Sequence, residues 1–181
     1  FAINSSTGVL SFVAAPDFEV PTDVGANNVY DVTVQVSDGA LTDTQAIAVT
    51  VTNVNEAPVI TSDGAGASAT RNVAENSTAV TTVTATDVDA ATTFTYSISG
   101  GADAAKFAIN SSTGVLTFVA APDFEVATDV GANNVYDVQV QVSDGGLTDT
   151  QTTAVTVTNQ NEAPTITSNG SGATATVNVA E

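Results

Sequence analysis

The feature that most restricts this chain is its internal repetition: FAINSSTGVL opens the sequence at Phe1 and returns intact at Phe107. At that 106-residue offset, residues 1–75 and 107–181 differ at only 12 of 75 positions. A sequence that copies itself this closely must fold each copy alike and string the copies into an array. The seams are marked by TNVNEAP at 52–58 and TNQNEAP at 158–164. The natural unit then runs from seam to seam, over residues 57–162. Residues 1–56 read as the C-terminal part of a preceding repeat and 163–181 as the first strands of a following one. On this reading the chain starts in mid-pattern and is an excerpt from a longer array.

Within the unit the apolar period is two. In YDVQVQVSD, Tyr136, Val138, Val140 and Val142 fall on one face, while Asp137, Gln139, Gln141 and Ser143 fall on the other. That alternation predicts a half-buried strand at 136–142. Similar segments predict strands at 79–86, 94–99, 106–110, 114–119 and 151–158, with a first strand near 59–61 or 67–73, separated by Gly, Asn, Asp and Pro turns. No segment keeps helical spacing over two turns. About seven strands in roughly 100 residues predict an all-β, immunoglobulin-like Greek-key sandwich, whose two sheets each bury one face.

Composition limits what such a unit can do. Hydrophobic residues make up 43% of the chain, enough to fill a core, and Cys, His, Met and Trp are all absent. Disulfides, thiol chemistry, imidazole bases and histidine metal sites are therefore excluded. Twenty acidic residues stand against Arg71 and Lys106, for a formal net charge of −18. Nucleic acid and anionic membranes need clustered Lys and Arg, so neither is an expected partner. The apolar runs fall well short of a membrane span, so no membrane insertion is expected in this segment.

The carboxylates gather where strands end. Asp87 and Asp89 follow the segment 79–86, and an extended backbone would point both to one side. Asp123 and Glu125 repeat that spacing, matched one period earlier by Asp17 and Glu19; Asp144 is matched by Asp38, and Glu75 by Glu181. Like charges clustered in this way repel unless a cation sits among them. Oxygen ligands without any His or Cys select a hard divalent ion, Ca²⁺ above all. The plainer account is a solvated acidic surface, with Asp144 capping a turn and Glu75 an ordinary surface group. Asp23, Asp31, Asp43, Asp103, Asp129, Asp137 and Asp149 read as solubility charges or turn formers. The N-x-S/T strings at Asn4, Asn76, Asn110 and Asn169 read as chance in a Ser/Thr-rich chain.

NVAE, the DVD pair, FAINSSTGVLTF, DFE, YDVQVQVSDGG and AVTVTNQNEAP stand in the order and at about the spacing of cadherin repeats. Their wording resembles the bacterial cadherin-like repeats of large surface adhesins, and the resemblance covers the whole chain. It implies calcium held between successive domains. One junction would draw on Asp17, Glu19, Asn53, Asn55 and Glu56 from one side and on Asp87, Asp89 and Asp144 from the other. Glu75, Asp123, Glu125, Asn159, Asn161 and Glu162 would form the upper half of the next, and Asp38 is the counterpart of Asp144 one repeat earlier. Two departures bear on this. Asn53 and Asn159 stand where the family usually has Asp, so one ligand loses charge, and NEAP is one residue shorter than the family's ending, which leaves the number of ions per junction open.

Three functions remain open at this point. The repeats can be spacers of a secreted or surface-anchored adhesin or filament, contacting adjacent repeats and neighbouring copies in a fibre and stiffened by calcium outside the cell. They can be binding modules for glycan, ice or another copy of themselves. An enzyme is not expected, because the acidic pairs are better explained as ligands and a sandwich of this size has no obvious cleft.

Overall fold

The computed structural model describes residues 1–168, 173–174 and 176–180, so Asn169 and Glu181 lie outside the described residues. Thirteen strands appear among them and no α-helix. The first four are β1 (Ala2–Ile3), β2 (Leu10–Ser11), β3 (Val29–Ser37) and β4 (Thr42–Thr50). β5 (Val59–Ile60), β6 (Ser68–Ala74), β7 (Ala79–Thr82), β8 (Ala85–Thr86) and β9 (Thr95–Gly100) follow. β10 (Phe107–Ile109), β11 (Val115–Phe118), β12 (Val135–Ser143) and β13 (Thr148–Thr158) complete the set.

From β5 onward these strands form a sandwich. One layer has the order β6-β13-β12-β9, and the other carries β10-β11-β7 and the short pair β5-β8. β6 runs parallel to β13 with Val73 opposite Val157, whereas the remaining ladders are antiparallel. The alternation expected in β12 is realised. Tyr136, Val138, Val140 and Val142 are at most 1% exposed, and their neighbours are half-buried. Facing residues from both layers, among them Ile60, Val83, Leu116, Phe118 and Val155, close the core. The Phe107 and Phe118 rings stack at 4.6 Å, and Phe118 meets Tyr136 edge-on at 5.2 Å.

Two expected strands are more broken than the sequence suggests. The segment 79–86 splits because its ladder partner changes: β7 pairs with β11 and β8 pairs with β5. Between them the N–H of Val83 donates to the carbonyl of Gly114 at 2.8 Å. Gly114 has φ 71°, and a Cβ there would lie 2.2 Å from that Val83 carbonyl oxygen, so only glycine fits. The first strand is divided as well, since β5 belongs to one layer and β6 to the other. The chain changes layer through residues 62–66, where Asp63, Gly64, Ala65 and Gly66 all take positive φ.

The same sequence pattern behaves differently in residues 1–56. Among the described residues, β1 pairs with β2 and β3 with β4, and no further strand joins either pair. Val36 is 69% exposed while its repeat counterpart Val142 is fully buried. Ladder formation is local to a hairpin, but burial requires a second layer. Beyond β13 no strand is assigned among the described residues.

Candidate metal centre

Among the described residues, acidic side chains converge at two places. At the proximal joint, oxygens of Glu19, Glu56 and Asp89 lie within 4.8 Å of one another. They come from three segments far apart in sequence: the DFE loop, the linker and the turn after β8. At the distal joint Glu75, Asp123 and Glu125 form the matching group.

Local hydrogen bonding explains how each acidic pair is presented. Asp87 Oδ1 accepts from the N–H of Asp89 at 2.9 Å, and Asp17 Oδ1 accepts from the N–H groups of Glu19 and Val20 at 2.9 and 3.0 Å. Asp123 Oδ1 accepts from the N–H of Val126 at 3.1 Å. These are side-chain-capped bends rather than the extended backbone expected from the i, i+2 spacing. Asp competes for nearby N–H groups and so folds the chain back on itself. One carboxylate oxygen of each leading Asp is spent on the bend.

The linker is tied into the proximal joint. Asn53 Nδ2 donates to Asp89 Oδ1 at 2.6 Å, and the N–H of Glu56 donates to Asp89 Oδ2 at 3.0 Å. Asn55 Nδ2 donates to Asp144 Oδ2 at 2.8 Å, while Asp144 Oδ1 caps the N–H groups of Gly146 and Leu147. Those caps, Leu147's first, hold the Asp144 carboxyl below the usual carboxylate range. Asp38 makes the same cap on Ala40 and Leu41 in the β3–β4 turn, with the same effect. Both therefore act as turn caps, and Asp144 also meets the linker.

The distal linker is tied to its cluster through other partners. Asn159 Nδ2 donates to Glu125 Oε1, and Asn76 Nδ2 donates to Glu162 Oε1 at 2.8 Å. Asn161 lies exposed in the same linker. Glu75 is only 2% exposed. It is a buried group rather than an ordinary surface one.

Two observations bear on whether a cation fits here. Asp87 Oδ2 is buried and has no hydrogen-bond partner among the described residues. An acceptor of this kind is costly unless a donor or a cation reaches it. The Glu56 carboxyl is pushed up by desolvation and then by the charges of Glu19, Asp89, Asp17 and Asp87. Several carboxylates thus share one small space without a basic neighbour. An all-oxygen set of that charge fits a hard divalent cation.

Sequence reading missed several acidic residues of structural weight. Asp103 is 3% exposed and accepts from the N–H groups of Val130 and Asp137 at 2.7 and 2.9 Å. Asp129 caps Asn133 and Asn134, Asp149 holds the N–H of Ile60 at 2.8 Å, and Asp63 pairs with Arg71 at 3.2 Å. Asp129 is a turn former, as expected, with its contacts four and five residues away, whereas Asp103 and Asp149 reach amides far off in sequence that no local pattern shows.

The cadherin-domain family model matches residues 69–159, half of the chain. Human protocadherin Fat 4 is 34% identical over 131 residues, covering 69% of this chain, which spans about 2% of that relative's length. Among solved structures, the EC1-2 segment of human protocadherin-24 superposes with a TM-score of 0.59 at 21% identity, covering 89% of this chain and 77% of that one. The EC22-24 segment of mouse cadherin-23 gives 0.58 at 23% identity, covering 88% and 50% respectively. At those identities the two structures support the fold alone. No helix among the described residues is long and apolar enough to cross a membrane. With the sandwich, its strand order and the family match in agreement, the chain belongs to the cadherin family, whose domains are extracellular adhesion repeats.

Proposed function

We propose that this chain is a non-catalytic stretch of tandem cadherin-like repeats from a bacterial surface adhesin or extracellular filament, with calcium stiffening the joints. Residues 57–162 form one complete repeat, 1–56 belong to the preceding one and 163–181 to the following one. The observation that carries the reading is the proximal joint. Three carboxylates from separate segments meet within 4.8 Å, beside a buried Asp87 oxygen lacking a donor among the described residues.

Calcium there would be held by Glu19, Glu56, Asp87 and Asp89, with Asp17 adding charge. The ion would supply the positive charge that this cluster lacks. The chain's own contribution is orientation: the capped bends at Asp17 and Asp87 aim the trailing Glu19 and Asp89, while Pro58 ends the linker and fixes its backbone. Glu75, Asp123, Glu125 and the 159–162 linker offer the corresponding half-site at the distal joint. A spacer role is favoured over glycan binding by the aromatic residues, since Tyr96 and Tyr136 are buried in the core.

The test is calcium calorimetry and thermal unfolding of the 181-residue chain, with and without chelator, for the native protein and for D87A/D89A. Heat release and a calcium-dependent rise in Tm in the native chain, both absent in the double variant, are expected. A native chain indifferent to calcium would overturn the reading.

A further inference from the structure

We propose that Asn53 and Asn159 are positioning residues: their side-chain amides tie each linker to the acidic cluster, so that the joint keeps its order when the cation is withdrawn. This deepens the calcium reading above and rests on it.

The argument starts from Asp89, whose two oxygens are both engaged by the linker. Oδ1 takes the Asn53 side-chain N–H and Oδ2 takes the backbone N–H of Glu56. One carboxylate is thereby clamped from two linker positions. At the distal cluster the equivalent Asn159 donates to a different carboxylate, Glu125, the counterpart of Glu19, so its amide again ties the linker to the acidic group. The tie recurs although the next linker residue changes from Val54 to Gln160, so it does not depend on that neighbour.

An Asn side chain has two N–H hydrogens and a carbonyl, whereas an ionised Asp can only accept. Asp at position 53 could not donate to Asp89. It would instead add a negative charge beside a group of carboxylates that already pushes the Glu56 carboxyl up. Asn therefore exchanges one unit of attraction for the cation against a bond that holds in its absence. Because the amide donates through nitrogen, its carbonyl oxygen stays available to an ion.

The reporter is the Glu56 backbone N–H, whose exchange with solvent depends on its bond to Asp89. Hydrogen exchange would be followed on the full chain in chelator and in calcium, for the native protein, N53D and N53A. Calcium calorimetry would be run on the same samples. Native Glu56 is expected to stay protected in chelator. N53D should exchange about tenfold faster there, regain protection in calcium and bind calcium roughly tenfold more tightly. N53A should lose the protection in chelator without gaining affinity, which separates the lost bond from the added charge. Free exchange of native Glu56 in chelator, or native-like protection in N53D, would overturn the proposal. Absence of calcium binding in every variant would sink the calcium reading alone, because the chelator comparison still decides the tie.

Discussion

Glu75 accepts a hydrogen bond from the backbone N–H of Gln160 at 2.7 Å, which fastens the end of β6 to the linker leaving β13. Its other oxygen takes the N–H of Phe124, also at 2.7 Å, from the DFE loop. One nearly buried carboxylate thus joins a strand end, a loop and a linker, and so holds the distal acidic cluster together.

Those donors, Phe124 first and Gln160 second, hold the Glu75 carboxyl below its ordinary value of 4.5. A lowered folded-state value means that the stabilisation is present above 4.5 and is lost as pH falls through the folded value. Unfolding midpoints measured from pH 6 to pH 3 should therefore drop with acidification. E75Q should start lower and show a shallower drop.

Glu56 has the opposite sign. Desolvation and four neighbouring carboxylates raise its carboxyl above 4.5. In chelator, stability of the joint should fall as pH rises through the unfolded value towards the folded one, because the folded state holds the proton more tightly. Calcium should abolish that loss, and so should E56Q. Protease nicking of the 52–58 linker across pH 4 to 7 would read it out.

Leu116 is fully buried, while its repeat counterpart Leu10 is half-buried in the β1–β2 hairpin. L116A should cost about 2–5 kcal/mol by urea unfolding, the usual range for an emptied core site. L10A in the same chain should cost less, because less apolar surface and a smaller void are involved. Equal losses would mean that the two copies pack alike in solution.

Asp103 should prove more than a surface charge. D103A leaves two part-buried N–H groups, those of Val130 and Asp137, without their acceptor. About 1–3 kcal/mol per orphaned donor is expected, with faster hydrogen exchange at both amides. D31A, an exposed site in β3, serves as the contrast and should change stability by less than about 0.5 kcal/mol.

The sequence alone determined the all-β class and the inward face of its alternating strands, because both are written in local rules. Period-two alternation fixes which face of β12 turns inward, and Asn, Glu and Pro in TNVNEAP deny the ladder a continuation. It also limited any cation site to oxygen ligands, since a chain without His or Cys offers no nitrogen or sulfur ligand of that kind.

What only the tertiary structure decided depends on partners distant in sequence. The break between β7 and β8, the parallel pairing of β6 with β13 and the burial of Glu75 and Asp103 each follow from which layer lies opposite. The clearest case is β12 itself, whose inward residues Tyr136, Val138, Val140 and Val142 are sealed by Leu116, Phe118 and Val83 of the facing layer. A strand's pattern says which side should be covered; whether it is covered is set by the second sheet.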